Sequence, residues 1–301
     1  MAEFDVLVVG DANPDLLLRG DVRPRFGQAE QLLTGADLVL GGSAAITAAG
    51  CARLGLRTAL FAAVGDDVFG RLVRDELRER EVTLLAADGR GAPTGISVIL
   101  SEMDDRGILT LPGTIPALRP ADVTDELLAR ARHVHVSSLY LQPALAGGLA
   151  GIFARARKIG LTTSLDTNWD PAEKWESINE ILAHTTVFLP NANELRAITG
   201  LDKTDEAAAS LVDGGTTVVM KDGAKGARAW WPGGAAAAPG RPVDVVDTTG
   251  AGDSFDAGFL AARLSGRPLE EAVRWAATAG SLSTRAAGGT AAQAYRAEVE
   301  G

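Results

Sequence analysis

A doubly wound α/β fold, with a mostly parallel sheet flanked by helices, is predicted by three features of the sequence. Phe4-Asp5-Val6-Leu7-Val8-Val9 is a β-branched run ending at Gly10, as expected of a central strand buried on both faces. Apolar runs at 59–64, 133–136, 162–165, 186–189 and 216–220 alternate with helical patterns near 43–54, 67–79, 122–130, 143–158, 192–199 and 204–212, the rhythm of βαβ units. Glycine supplies 35 of the 301 residues, above its usual share of ~7%, so many tight turns or close backbone approaches are expected.

The alternation spans the chain, which predicts one domain over residues 1–301; α/β domains reach this length without splitting. Two stretches interrupt it. Segments 15–40 and 94–112 are strand-like with no helix between their pieces, so they are expected to pair into a small separate β-sheet. Such a sheet needs a covered face, and a bound substrate, the main domain or a second subunit could supply it. A lid over a site, with a homodimer formed through the lids, is the expected arrangement. Pro232 to Pro242 reads as a loop between strands.

Charge and composition exclude several classes. With 29 Lys and Arg against 39 Asp and Glu, the net charge is −10, which argues against binding nucleic acid or an anionic membrane by bulk electrostatics. The lone Cys51 cannot form an internal disulfide, and three histidines with one cysteine give no zinc-type cluster. Met1-Ala2-Glu3-Phe4-Asp5 is acidic where a signal peptide would be basic, and no apolar run approaches the ~18 residues of a membrane span. A soluble, cytoplasmic protein is expected.

The most informative segment is Val243-Asp244-Val245-Val246-Asp247-Thr248-Thr249-Gly250-Ala251-Gly252-Asp253. It reads as a β-branched strand, a small-residue turn and a helix beginning near Gly252, with Phe255, Phe259 and Leu264 on its apolar face. Free N–H groups of the first turn, approached without obstruction at Gly250, Ala251 and Gly252, suit phosphate oxygens. Asp253 beside them is costly for anion binding unless it is needed there. Stabilising a helix dipole is the ordinary task of such an Asp, but that task does not require two glycines around one alanine. Phosphoryl transfer to an alcohol needs an acceptor for the hydroxyl proton and donors for the transferring group.

The segment Asp247 to Asp253 resembles the D-T-x-G-A-G-D motif of ribokinase-like (PfkB) carbohydrate kinases and carries it complete. The resemblance extends over Gly10 to Asp15, the Gly41-Gly42 turn, Gly65 to Gly70 and Asn191 to Glu194 in order. It implies a ribokinase-like fold and transfer of the ATP γ-phosphoryl group to a hydroxymethyl group of a small sugar or polyol. Gly250, Ala251 and Gly252 would then form the anion hole and Asp253 would be the base. It also implies Asn13, Asp15, Gly41 and Gly42 as substrate ligands; Gln142 is a further substrate-contact candidate from its place after the strand at 133–136. Asn191, Lys221, Gly223 and Gly226 would serve ATP, and Glu194 would serve Mg2+ through water. Asp247 and the carbonyl of Thr249 could enclose a monovalent cation such as K+. This chain has Ile46 where the pattern G-G-x-x-x-N-x-A places Asn, and Ala277 where relatives sometimes carry Asn. A nucleoside kinase is the nearest alternative, and a non-catalytic sugar or nucleotide sensor a more distant one. No Walker A pattern occurs, which excludes a P-loop kinase, and G-x-G-x-x-G is absent after the first strand, against a Rossmann dehydrogenase. From the residues themselves, Asn13 and Asp15 are also compatible with turn chemistry, Asn191 and Glu194 with a capping box, and Lys221 to Gly226 with a hairpin. His133 and His135 alternate along one strand and are expected to be structural.

Overall fold

A computed structural model describes residues 2–101 and 106–301, with the side chain of Arg106 outside the description. Its strands, in chain order, are β1 (Val6–Val9), β2 (Asn13–Gly20), β3 (Leu33–Gly41), β4 (Thr58–Ala63), β5 (Thr83–Ala87), β6 (Ile96–Ser101), β7 (Arg106–Leu111), β8 (His133–Val136), β9 (Thr162–Leu165), β10 (Val187–Phe188), β11 (Thr217–Lys221), β12 (Ala227–Trp231) and β13 (Gly234–Ala238). They form a nine-stranded sheet, ordered β13-β12-β11-β10-β9-β8-β1-β4-β5, and a four-stranded sheet, ordered β3-β2-β6-β7.

β1 sits inside the large sheet, parallel to β4 and to β8, with Val8 opposite Leu60 and His135. All four of its residues are buried, as the unbroken apolar run requires. Helices cover both faces. Ser43–Arg53, Val68–Glu79, Ala251–Leu264 and Leu269–Ser283 pack on one side around Phe259 and Trp275, and Leu149–Lys158 packs on the other around Phe153. Burying each of these large side chains stabilises the fold by very roughly 1.5–3 kcal/mol. Because β1 is flanked by strands reached in opposite directions along the sheet, the crevice beyond its C-terminal end is the expected ligand position of an open α/β sheet.

The small sheet comes from the two segments that interrupt the alternation, 15–40 and 94–112, although β2 starts two residues earlier, at Asn13. Residues 102–105 of the second segment lie outside the described residues. Asn13 pairs with Gly41 and Asp15 with Val39 and Ser97, so this sheet springs directly from the crevice.

Four local expectations are corrected. Val243 to Val246 is no strand: the N–H groups of Val246 and Asp247 both donate to the Thr284 carbonyl, at 2.8 and 3.2 Å, and Val245 and Val246 are each 63% exposed. β-branched composition favours a ladder only where a neighbouring strand offers one. The loop 232–242 contains β13, because Gly233 at φ +86° turns the chain back so that Gly234–Ala238 pairs antiparallel with β12. The helix expected over 143–158 is two, Pro143–Ala146 and Leu149–Lys158, with Gly148 pressed against Pro120, where a Cβ would come within 2.3 Å of the ring. β5 has no counterpart among the expected strands. Among the described residues, no helix is long and apolar enough to cross a membrane.

Candidate active site

A cavity of about 690 Å³ lies between the C-terminal ends of the main strands and the small sheet. Its residues arrive from distant parts of the chain. Asp11, Asn13 and Asp15 follow β1, Gly42 and Ser43 open the helix Ser43–Arg53, Asp166 and Asn168 follow β9, Asn191 and Glu194 follow β10, and Lys221 ends β11. Thr248 to Asp253 also line it, and Ser97, Ile99, Ile108 and Thr110 face it from the small sheet.

The helix Ala251–Leu264 starts from Gly250 at φ +70°, a left-handed conformation that glycine adopts without strain. A Cβ on Gly250 would come within 2.6 Å of the Gly289 Cα and 3.1 Å of Ile46 Cγ2, so glycine is required on steric grounds as well. The Ala251 N–H donates to the Thr248 carbonyl at 3.2 Å, making it the least open to an anion of the three expected donors. Asp247 braces the turn: Oδ1 accepts from the Thr249 N–H and hydroxyl at 2.9 and 2.8 Å, and Oδ2 from the Gly288 N–H at 2.8 Å.

Asp253 is 7% exposed and faces the cavity. Its Oδ1 accepts from the Ser43 hydroxyl at 2.5 Å. Burial pushes its carboxyl up to about 7, against the Ser43 hydrogen bond and the Lys221 charge and reinforced by the negative charges of Asp166 and Asp11. Three residues on, and so on the same helix face, Asp256 is fully buried. Lys221 Nζ lies 2.6 Å from Asp166 Oδ2 and 3.1 and 3.2 Å from the oxygens of Asp256. Burial alone would lower the Lys221 ammonium, but the charges of Asp166, Asp256 and Glu194 outweigh it and hold the group protonated. Burial raises Asp256 strongly, whereas Lys221 overcomes burial at Asp166 and lowers it. The same ammonium thus favours the ionised form of Asp166, while burial favours the neutral form of Asp256.

Asn191 caps the helix Ala192–Thr199 by accepting the N–H groups of Asn193 and Glu194, while Glu194 returns a bond from the Asn191 N–H at 2.8 Å. The capping box is real, and both side chains also line the cavity. Burial, then the charge of Asp166, pushes the Glu194 carboxyl up to about 7.

Asn13 Nδ2 donates to Asp15 Oδ1 at 3.0 Å, joining two expected substrate ligands. Gly41 lies behind Asp15 and not on the cavity: a Cβ there would come within 2.1 Å of the Asp15 carboxylate. Gly42, at φ +86°, does line it. Gln142 is not brought to the cavity. It is fully buried and spends Nε2 on the Ser137 and Ser138 carbonyls, at 3.0 and 3.2 Å, because the turn after β8 needs those acceptors satisfied. His133 and His135 are buried along β8 and bonded to Thr162, Ser164 and Ser137, consistent with a structural role.

A second cleft of about 540 Å³ adjoins the first, with Lys221, Gly223, Thr248, Ala251 and Gly252 common to both. Gly226, Val245, Phe255, Ala277, Gly280 and Thr284 give it a mostly small or apolar wall. Asp11, Ser43, Asp166, Asn168 and Asp256 had no role assigned from sequence. A signal existed for Asp256 in its three-residue spacing from Asp253, for Ser43 in its place after two glycines, and for Asp11, Asp166 and Asn168 in their places after strand-like runs, where ligands gather in open α/β sheets.

The large twisted sheet with its small companion is the ribokinase-like fold. Arabidopsis thaliana ribokinase, solved with ribose and ATP, is 26% identical at a TM-score of 0.83, covering 100% of this chain and 98% of that one. Adenosine kinase from Sinorhizobium meliloti is 26% identical at a TM-score of 0.85, over 96% of each chain. In sequence, an ATP-dependent ribose-1-phosphate kinase of Halopiger xanaduensis is 33% identical over 282 residues, 92% of this chain and 91% of the relative. The profile of the pfkB family carbohydrate kinases matches residues 4–294. The chain belongs to the pfkB family of carbohydrate kinases, and with it to the ATP-dependent sugar kinases.

Proposed function

We propose that this kinase transfers the γ-phosphoryl group of ATP to a hydroxymethyl group of a small, uncharged sugar or polyol. The observation that carries the reading is the convergence of Asp253 and the 250–252 helix tip on the point where the two clefts meet. ATP enters the second cleft, with its base against Ala277 and Gly280 and its phosphates directed past Lys221, Gly223 and Gly226 toward the tip. The acceptor occupies the first cavity, its ring hydroxyls on Asn13, Asp15 and Gly42. Asp253 takes the hydroxyl proton, and the tip amides stabilise the transferring group.

The donor sets fit the cations that ATP chemistry uses. Glu194, a buried carboxyl beside Asn191, suits hydrated Mg2+, which keeps several waters and is held by few carboxylates. When bound, Mg2+ supplies neutralisation of phosphate charge. Asp247 and the Thr249 carbonyl offer hard oxygens for a monovalent cation such as K+. The exposed leucines of the small sheet, Leu38, Leu109 and Leu111, suit a homodimer through the lids.

Among the described residues, the acceptor cavity is lined by five carboxylates (Asp11, Asp15, Asp166, Glu194 and Asp253) and one cation, Lys221, with no arginine or histidine. That charge balance disfavours sugar phosphates and sugar acids. A nucleoside acceptor is the second reading, favoured by Ile46, Ile108, Leu141 and Trp169 on the same wall, of which Trp169 is 44% exposed. An ADP-release screen over neutral sugars, polyols, nucleosides, sugar phosphates and sugar acids tests the assignment. Turnover confined to anionic acceptors overturns it.

A further inference from the structure

The hydroxyl of Ser43 and the carboxylate of Asp253, 210 residues apart, meet at 2.5 Å. Ser43 is also contacted by a third element. Asn168, after β9, donates from Nδ2 to Ser43 Oγ at 2.9 Å. The orientation of this amide is fixed by its own partners, because Asn168 Oδ1 accepts the Ser138 N–H at 3.0 Å and the remaining end must be the NH2 group. The Asn168 N–H is held by Asp166 Oδ1 at 3.1 Å, and its backbone sits at φ +52°, a region that Asn tolerates better than most residues.

A serine hydroxyl has one proton to give. An amide NH2 can only donate, so it takes the acceptor side of Ser43 and leaves that proton for Asp253. We propose that Ser43 is a positioning residue for Asp253: steered by Asn168, it commits its proton to Oδ1 and so orients Oδ2 toward the acceptor hydroxyl. The relay runs one way, from the Ser138 N–H through Asn168 and Ser43 to the carboxylate. It favours the ionised form of Asp253, the form that can accept a proton, in a place where burial favours the neutral one.

The charged groups around Asp253 are Asp11 from the β1 turn, Asp166 from the end of β9, Lys221 from β11 and Asp256 from its own helix. Asp15 and Glu194 line the same cavity. All but Lys221 are acidic side chains, so their ionisation works against that of Asp253, and Ser43 is the hydroxyl that counters them by direct contact.

The inference rests on Asp253 being the base, and the test separates the two. The full chain is prepared with isotope-labelled aspartate carboxyls and titrated by NMR through neutrality without any ligand, the Asp253 signal being assigned with Asp253→Asn. In Ser43→Ala the Asp253 midpoint is expected to rise by about one pH unit, the size of a charged hydrogen bond. Ser43→Thr, which keeps the hydroxyl, is expected to keep the wild-type midpoint. Asn168→Asp is expected to raise it as Ser43→Ala does, because a carboxylate at that point competes for the Ser43 proton; Asp also tolerates the left-handed backbone, so this variant carries the test if Ser43→Ala folds poorly. An unmoved midpoint in both Ser43→Ala and Asn168→Asp overturns the proposal. Turnover surviving in Asp253→Asn would overturn the base assignment instead, whatever the titration gives.

Discussion

Lys221 holds Asp166 at 2.6 Å, tying the end of β11 to the end of β9 across the intervening β10. Asp166 is buried and Lys221 nearly so, and the ammonium also faces Asp256. Removing one partner leaves the other as an uncompensated charge in a poorly solvated place, which costs more than the pair contributes. Lys221→Met is therefore expected to destabilise the fold by about 3–5 kcal/mol. Urea unfolding checks this, and Lys221→Met/Asp166→Asn should lose less than the sum of its parts.

Two glycines differ in what a methyl group would do. At Gly250 a Cβ meets the Gly289 backbone at 2.6 Å and the left-handed φ adds strain, so Gly250→Ala should distort the helix tip and lower kcat by about 10²-fold, as for loss of an oxyanion donor. At Gly41 the added Cβ meets the Asp15 carboxylate, a movable side chain, so Gly41→Ala should mainly raise KM for the acceptor. Steady-state kinetics separates the two outcomes.

The pH dependence of turnover should have an acidic limb near neutrality. Burial holds Asp253 up to about 7, so below that pH the base is protonated and kcat falls about tenfold per pH unit. A limb in the ordinary aspartate range, near 4, would contradict the geometry. Glu194, also raised to about 7, titrates in the same window, and Glu194→Gln separates its part of the profile.

Stability should also fall on acidification, through His133 and His135. Burial lowers them to about 3 and about 4, from an ordinary value of 6.5. Between those values the unfolded chain binds more protons, so this contribution is complete above 6.5 and is lost as pH falls toward 4, on the order of a few kcal/mol. Asp253 and Glu194, raised in the fold, work the other way over the range from about 4 to 7, where the native state binds more protons. Replacing both histidines with glutamine should flatten the loss of thermal stability on acidification.

Most of the main sheet was legible because buried parallel strands are continuous apolar runs, as Val6–Val9 and His133–Val136 are in part, and because helices such as Val68–Glu79 announce themselves by an Asp cap. β13 was hidden because Gly234–Ala238 carries only alanines after its glycine, and an edge pairing depends on its partner rather than on propensity. Val243–Val246 misled for the converse reason: its side chains suit a strand, but the Val246 N–H, with that of Asp247, donates to the Thr284 carbonyl rather than to a neighbouring strand. At the site, the motif from Asp247 to Asp253 is contiguous and could be read directly. Ser43, Asn168 and Asp166 acquire their meaning from contacts across 210, 125 and 55 residues, and no spacing along the chain records those. Gln142 lies away from the cavity because a polar residue after a strand serves the turn as readily as the crevice.

The most direct test of phosphoryl transfer to an acceptor deprotonated by Asp253 is a single-turnover measurement with Asp253→Asn and excess acceptor. The expected result is a transfer rate lower by at least about 10² with ATP binding retained, since a positioned base contributes that much or more. A rate within a few-fold of the unaltered enzyme would contradict the account.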